Sequence, residues 1–155
     1  DAYLNGLVDI RYDLQQDRVV YLVKSLSNGR VVDATGRSLT NRKPKWRRYG
    51  NSRYPFLSGN GFCGIIVEDC PSACSVSHLA CGISLMGTTL LDEHIKVIKQ
   101  FKKVYIALDK DATSKAILML KKLRNYVPTK LIVLNKDLKD MQIGERNEFI
   151  RRYID

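Results

Sequence analysis

From residue 62 onward the chain repeats one pattern, a short apolar run followed by a helical stretch, and this constrains its fold more than any other feature. Residues 62–67 (FCGIIV) suit a strand buried on both faces. A helix is expected over 71–81, with Pro71 in its first turn and Gly82 just past its end. Residues 83–86 make a second strand; Leu91, Ile95 and Ile98, at spacings of four and three, then mark an amphipathic helix that begins after Thr88-Thr89. Residues 104–108 (VYIAL) are a third strand. The next helix carries an apolar stripe of Ala116, Met119, Leu120 and Leu123 and stops before Pro128. Residues 130–134 (KLIVL) are a fourth strand and 145–153 a final helix. Strands alternating with helices pair in parallel through right-handed crossovers, so residues 61–155 are expected to form a layered α/β domain with a mostly parallel central sheet.

The preceding stretch reads differently. Residues 18–25 (RVVYLVKS) and 30–34 (RVVDA) are β-rich and flank the turn-forming Leu26-Ser27-Asn28-Gly29, which predicts a β-hairpin. Pro44, Gly50, Pro55 and Gly59 then favour an irregular loop over a helix. Residues 1–60 are therefore expected to be a small hairpin and basic-loop subdomain.

Charge is concentrated in that loop. The 155 residues carry 26 Lys or Arg against 16 Asp or Glu, a formal charge of +10, and residues 34–67 hold seven bases and no acid. A chain that is 45% apolar can bury a core, which excludes a disordered basic tail. The positive excess points to a polyanionic partner. Lys45, Arg47, Arg48 and Arg53 are suited to phosphates, with Trp46, Tyr49 and Tyr54 interleaved as stacking surfaces. A solvated basic loop would carry the same charges, and Trp46 could equally anchor the loop; the aromatics favour nucleic acid.

Other features are plainer. The longest uncharged stretch, residues 70–91, contains Pro71, Gly82 and Gly87 among many hydroxyl side chains, so no membrane span is expected. The absence of a basic-then-apolar leader suggests a soluble, intracellular protein, and the opening at Asp1 suggests an excised or processed piece. Cys63, Cys70, Cys74 and Cys81 lack the two-residue gap of zinc knuckles and read as reduced, buried hydrophobes. His78 and His94 read as surface or capping residues. Gly87-Thr88-Thr89 could offer amides to a phosphate, or simply start a helix.

The chemistry is expected at the strand ends. In parallel sheets the ligand site lies beyond the carboxyl ends of the strands. There Glu68 follows GIIV, Asp109 and Asp111 follow YIAL, and Asp137 and Asp140 lie past LIVL. Each acid alone reads as a solvated residue or a helix cap, as Asp111 does before Ala112. Gathered at one rim they would repel unless a cation neutralised them, and hard oxygen donors suit Mg²⁺ or Mn²⁺.

Glu68 in IIVEDCPSA, residues 84–89 (SLMGTT), Asp109 and Asp111 in ALDKDAT and, more loosely, Lys139-Asp140 in LNKDLKDM resemble the Toprim domain of primases, topoisomerases and certain nucleases. The hairpin and KPKWRRYGNSRYPFL resemble the region upstream of Toprim in phage-type primases. The resemblance covers roughly residues 62–141. It implies a metal held by Asp109, Asp111 and Asp140, with Glu68 sharing that duty or taking a proton from the attacking hydroxyl. Asp137 stays open as an alternative to Asp140. It further implies RNA primer synthesis on single-stranded DNA from nucleoside triphosphates in a bacterial cytoplasm, phage-encoded or not. The implied partners are a replicative helicase and a separate zinc-binding template-recognition module, without which synthesis is expected to be weak. A Toprim nuclease and a non-catalytic nucleic-acid-binding or helicase-associated module are the alternatives. Asp69, Ser72 and Ser114 stand where the family has glycine, aspartate and glycine, respectively.

Overall fold

In a computed structural model describing residues 3–6 and 8–154, hydrophobic alternation sorts the chain into two sheets. Asp1, where the sequence opens, lies outside the described residues. The first sheet is antiparallel, in the order β1 (Ile10–Asp13), β2 (Arg18–Lys24), β3 (Val31–Ser38) and β4 (Trp46–Arg48). β2 and β3 are the expected hairpin, with Val20 opposite Gly36 and Leu22 opposite Ala34. Its turn closes through Ser25 N–H to the Arg30 carbonyl and Gly29 N–H to the Ser25 carbonyl, both 2.9 Å, with Gly29 at φ 68°.

The basic segment is not wholly irregular, as expected, because Trp46–Arg48 forms an edge strand on β3. The exposed backbone of residues 35–37 needs hydrogen-bonding partners, and that demand outweighs the weak strand propensity of arginine. β1 likewise extends the hairpin on its other side without having been expected.

The second sheet contains β5 (Phe56–Ser58), β6 (Cys63–Val67), β7 (Cys81–Ser84), β8 (Lys103–Ile106) and β9 (Thr129–Leu131), in the order β5-β7-β6-β8-β9. β6 pairs in parallel with β7 and β8, β8 pairs in parallel with β9, and only β5 runs antiparallel. The mostly parallel α/β sheet is the architecture the alternation predicts. β5, flanked by Pro55 and Gly59, was not foreseen.

Helices α1 (Cys70–Val76), α2 (Asp92–Ile98), α3 (Thr113–Leu123) and α4 (Ile143–Arg151) cover the sheet. Alternate strand residues serve the two faces. Ile65, Val67 and Tyr105 pack with Ala73, Val76 and Ile150, whereas Ile66, Val104 and Ile106 pack with Ile95, Ile98, Met119 and Leu123. Each fully buried aliphatic side chain of this kind contributes about 2 kcal/mol. The first of these clusters also takes in Val23 and Phe56, with Tyr21 and Trp46 packed against it, so the antiparallel sheet rests on the same core. Tyr21 meets Phe56 edge-on at 5.7 Å between centroids.

Several boundaries differ from expectation: β9 closes at Leu131 rather than at 134, and α4 runs over Ile143–Arg151 rather than 145–153. α1 ends at Val76 rather than at 81, and Cys81 opens β7, which stops at Ser84. Ser77 Oγ donates to the Cys74 carbonyl at 2.8 Å and closes the last turn. A Cβ on Gly82 would stand 2.1 Å from the Ala73 carbonyl oxygen, so Gly82 lets β7 pass close beneath α1 rather than capping it. Phe62, expected within a buried strand, is 73% exposed and lies under the Lys102 ammonium. No helix among the described residues is long and apolar enough to cross a membrane.

Candidate active site

The topology selects one crevice. β6 and β8 are neighbours, but the chain leaves β6 into α1 on one face and β8 into α3 on the other, a switch point at the carboxyl ends of adjacent strands. Pairing continues past the strands through Ala107 N–H to the Ile66 carbonyl at 2.9 Å. Glu68 and Asp109 therefore follow neighbouring strand ends.

Glu68 is held from several directions. Its carbonyl accepts from Ser84 Oγ and from Gly87 N–H, each at 3.0 Å, and the backbone N–H of Asp109 donates to its carboxylate. Gly87, at φ 151°, follows Met86 at φ 53°, so the exit from β7 turns sharply to make that contact. The Gly87 amide is thereby taken and does not await a phosphate. Oε1 of Glu68 is buried without a hydrogen-bond partner.

The electrostatics register the crowding. Burial, then the charges of Asp109 and Asp111, hold the Glu68 carboxyl above the usual carboxylate range. Burial also raises Asp109, with Asp137, Asp69 and Asp111 adding to it and Lys139 opposing. Lys139 Nζ lies 2.6 Å from Oδ2 of Asp69 and 3.8 Å from Oδ2 of Asp109. Although burial works to raise Asp69, that ammonium and the Ser72 amide hold it below the usual range. Asp69 also caps α1 by accepting from Ser72 N–H at 2.9 Å.

Asp111 occupies the 3-10 turn Lys110–Ala112, is exposed, and makes no cap bond to α3. In the 3-10 turn Leu138–Asp140, Asp140 is exposed, whereas the charge of Asp137, just before the turn, is among those that raise Asp109.

A cleft of about 350 Å³ separates this rim from the antiparallel sheet, lined by Thr35, Trp46 and Arg48 on one side and Glu68, Asp69, Met86 and Gly87 on the other. Trp46 and Arg48 pair opposite Arg37 and Thr35, so both point into the cleft, while Arg47 opposite Gly36 points away. Arg47 stacks on Tyr49 at 5.3 Å, and the Tyr49 hydroxyl donates to Asp13. The structure thus does not bring Arg47 and Tyr49 to the acids. Trp46 both lines the cleft and packs 6.0 Å from Tyr21, with the Arg37 guanidinium 5.5 Å from its ring centre. Arg53 lies 3.8 Å from Glu93, and Lys45 is exposed. The Tyr54 hydroxyl oxygen accepts from Leu26 N–H at 2.6 Å.

His94 accepts from Leu91 N–H through Nδ1 at 3.1 Å, a capping role, but it is buried rather than at the surface. His78 is exposed, with Nε2 2.8 Å from Asn147 Oδ1. The four cysteines are free thiols, and burial pushes Cys74 and Cys81 up to about 11. The Lys139–Asp69 pair spans 70 residues of sequence, and no spacing rule could have found it.

No protein-family model and no curated protein matches the chain. Three solved structures are similar to it. A DnaG primase catalytic domain bound to single-stranded DNA has a TM-score of 0.70 and 19% identity, over 96% of this chain and 55% of that one. A DNA primase domain from Pseudomonas aeruginosa gives 0.69 and 19%, over 96% and 56%. The E. coli primase catalytic core gives 0.70 and 18%, over 97% and 57%. The chain has the fold of these primase catalytic domains and spans a little over half of their length.

Proposed function

We propose that this chain is the core of a primase-type nucleotidyltransferase that makes RNA primers on single-stranded DNA. The observation that carries the reading is that Glu68 and Asp109 meet at one rim, and that Glu68 lines a cleft whose other side carries Trp46 and Arg48. The likeness to primase catalytic domains, one of them bound to single-stranded DNA, supports it.

The residues fit a divalent cation. Oε1 of Glu68 is buried without a partner, and the neighbouring donors are hard carboxylate oxygens suited to Mg²⁺ or Mn²⁺. Among the described residues no group of three or more His, Cys, Asp or Glu is already arranged to hold an ion, so the side chains would close on it as it binds. Asp109 and Asp111 would hold it, with Asp140 or Asp137 completing the set and Glu68 either sharing that duty or taking the proton. When bound, the ion would neutralise charge developing on the phosphoryl oxygens.

The chain's own groups do the rest. Glu68, whose carboxyl titrates above its usual range, is suited to accept a proton from an attacking 3′-hydroxyl. Arg48 presents a guanidinium to phosphates entering the cleft, and Trp46 offers a ring edge for a base. Lys45 and Arg53 lie outside the cleft, where they would meet template backbone. A zinc-binding template module and a helicase would supply template choice and movement along DNA.

The test is synthesis of labelled oligoribonucleotides from single-stranded DNA, nucleoside triphosphates and Mg²⁺ or Mn²⁺, lost in Asp109→Asn. Shortening of the template without triphosphates would make the chain a nuclease. DNA binding that survives Glu68→Ala, with no synthesis, would make it a binding module.

A further inference from the structure

We propose that Lys139 is a built-in counter-ion that occupies the acid rim and must be displaced before a divalent cation can settle there. The inference rests on the reading of the rim as a cation site. Its ammonium touches Asp69 at 2.6 Å and stands 3.8 Å from Asp109, so it holds a positive charge where an ion bound by Asp109 would bring two more.

Both ends of the contact are anchored. Asp69 is fixed by its cap on α1 through Ser72 N–H at 2.9 Å. The turn carrying Lys139 is held by Asp140 N–H to the Asp137 carbonyl at 3.0 Å, and Arg146 donates to the carbonyls of Leu138 and Met141 at 3.3 and 3.4 Å. Lys139 is therefore presented to the rim by a fixed backbone rather than sweeping solvent. Its neighbour Lys136 pairs instead with Glu145 at 3.9 Å.

With the metal absent, the lysine relieves the repulsion among Glu68, Asp69 and Asp109. With metal present, it must swing off Asp109, and the lost attraction weakens metal binding. Removing the ammonium should therefore tighten binding, in contrast to the loss expected for any metal ligand.

Mn²⁺ binding to the whole chain, followed by electron paramagnetic resonance and by thermal melts in chelator and in Mn²⁺, tests this. Lys139→Gln should bind Mn²⁺ about tenfold more tightly, the effect of removing one adjacent charge. It should also melt below the unsubstituted chain in chelator and gain more from Mn²⁺. Lys139→Arg should restore the original affinity, and Lys136→Gln should leave it unchanged. Equal or weaker binding by Lys139→Gln would overturn the counter-ion role while leaving the cation site standing. Failure of every chain, unsubstituted included, to bind Mn²⁺ would overturn the cation site and the counter-ion with it.

Discussion

Arg48 Nε lies 2.8 Å from Oδ2 of Asp33, a carboxylate with no exposed side-chain surface, and the contact fixes the basic edge strand over the acid rim. Asp33 Oδ1 also accepts from the N–H groups of Ala34 and Gly50, at 2.7 and 2.9 Å. Asp33→Ala removes the acceptor of the Ala34 and Gly50 amides and of Arg48 Nε, and should cost about 2 kcal/mol. Urea unfolding monitored by Trp46 fluorescence measures it. A loss below about 0.5 kcal/mol would mean that the pair does not hold the strand.

Glu68 should be a residue whose charge the fold tolerates at a cost. Burial and the nearby acids raise its carboxyl, so the ionised form opposes folding, increasingly as pH rises from the unfolded value through the folded one. Glu68→Gln should stabilise the metal-free chain at neutral pH by about 1 kcal/mol, with the advantage vanishing as pH falls and Glu68 protonates. Loss of stability on that substitution would contradict the electrostatic description of the rim.

His94 supplies a pH dependence of opposite sign. Burial, aided by the Arg48 charge and opposed by Glu93, brings it from 6.5 down to about 4. Its contribution is complete above the unfolded value and is lost as pH falls from 6.5 towards 4, because only the unfolded chain then takes the proton. Over that interval the unsubstituted chain should lose about 3 kcal/mol relative to His94→Gln, which can still accept the Leu91 N–H. Parallel urea curves at pH 7 and pH 4.5 provide the comparison, and a constant difference would rule the histidine out.

Much of the α/β unit was legible because its strands are short apolar runs and its helices carry apolar stripes. Ile66 and Ile106 sit in such runs, and their neighbours Glu68 and Asp109 were placed at the rim by connectivity alone. Edge strands were harder to read. Trp46–Arg48 has two arginines in three residues, and only the unpaired backbone of β3 makes it a strand. Without that strand, the alternation that turns Arg48 inward and Arg47 outward could not be inferred. Cys81 was assigned to a helix because the close approach of Gly82 to Ala73 is a tertiary fact. Asp69 and Lys139 were seen separately, but their meeting depends on how the turn after β9 folds back over β6.

The most direct measurement is anomalous diffraction from crystals soaked in Mn²⁺. The account predicts a peak at the rim within coordinating distance of the carboxylates of Glu68 and Asp109. A rim without a peak at saturating Mn²⁺, with those two carboxylates still beside each other, would contradict it.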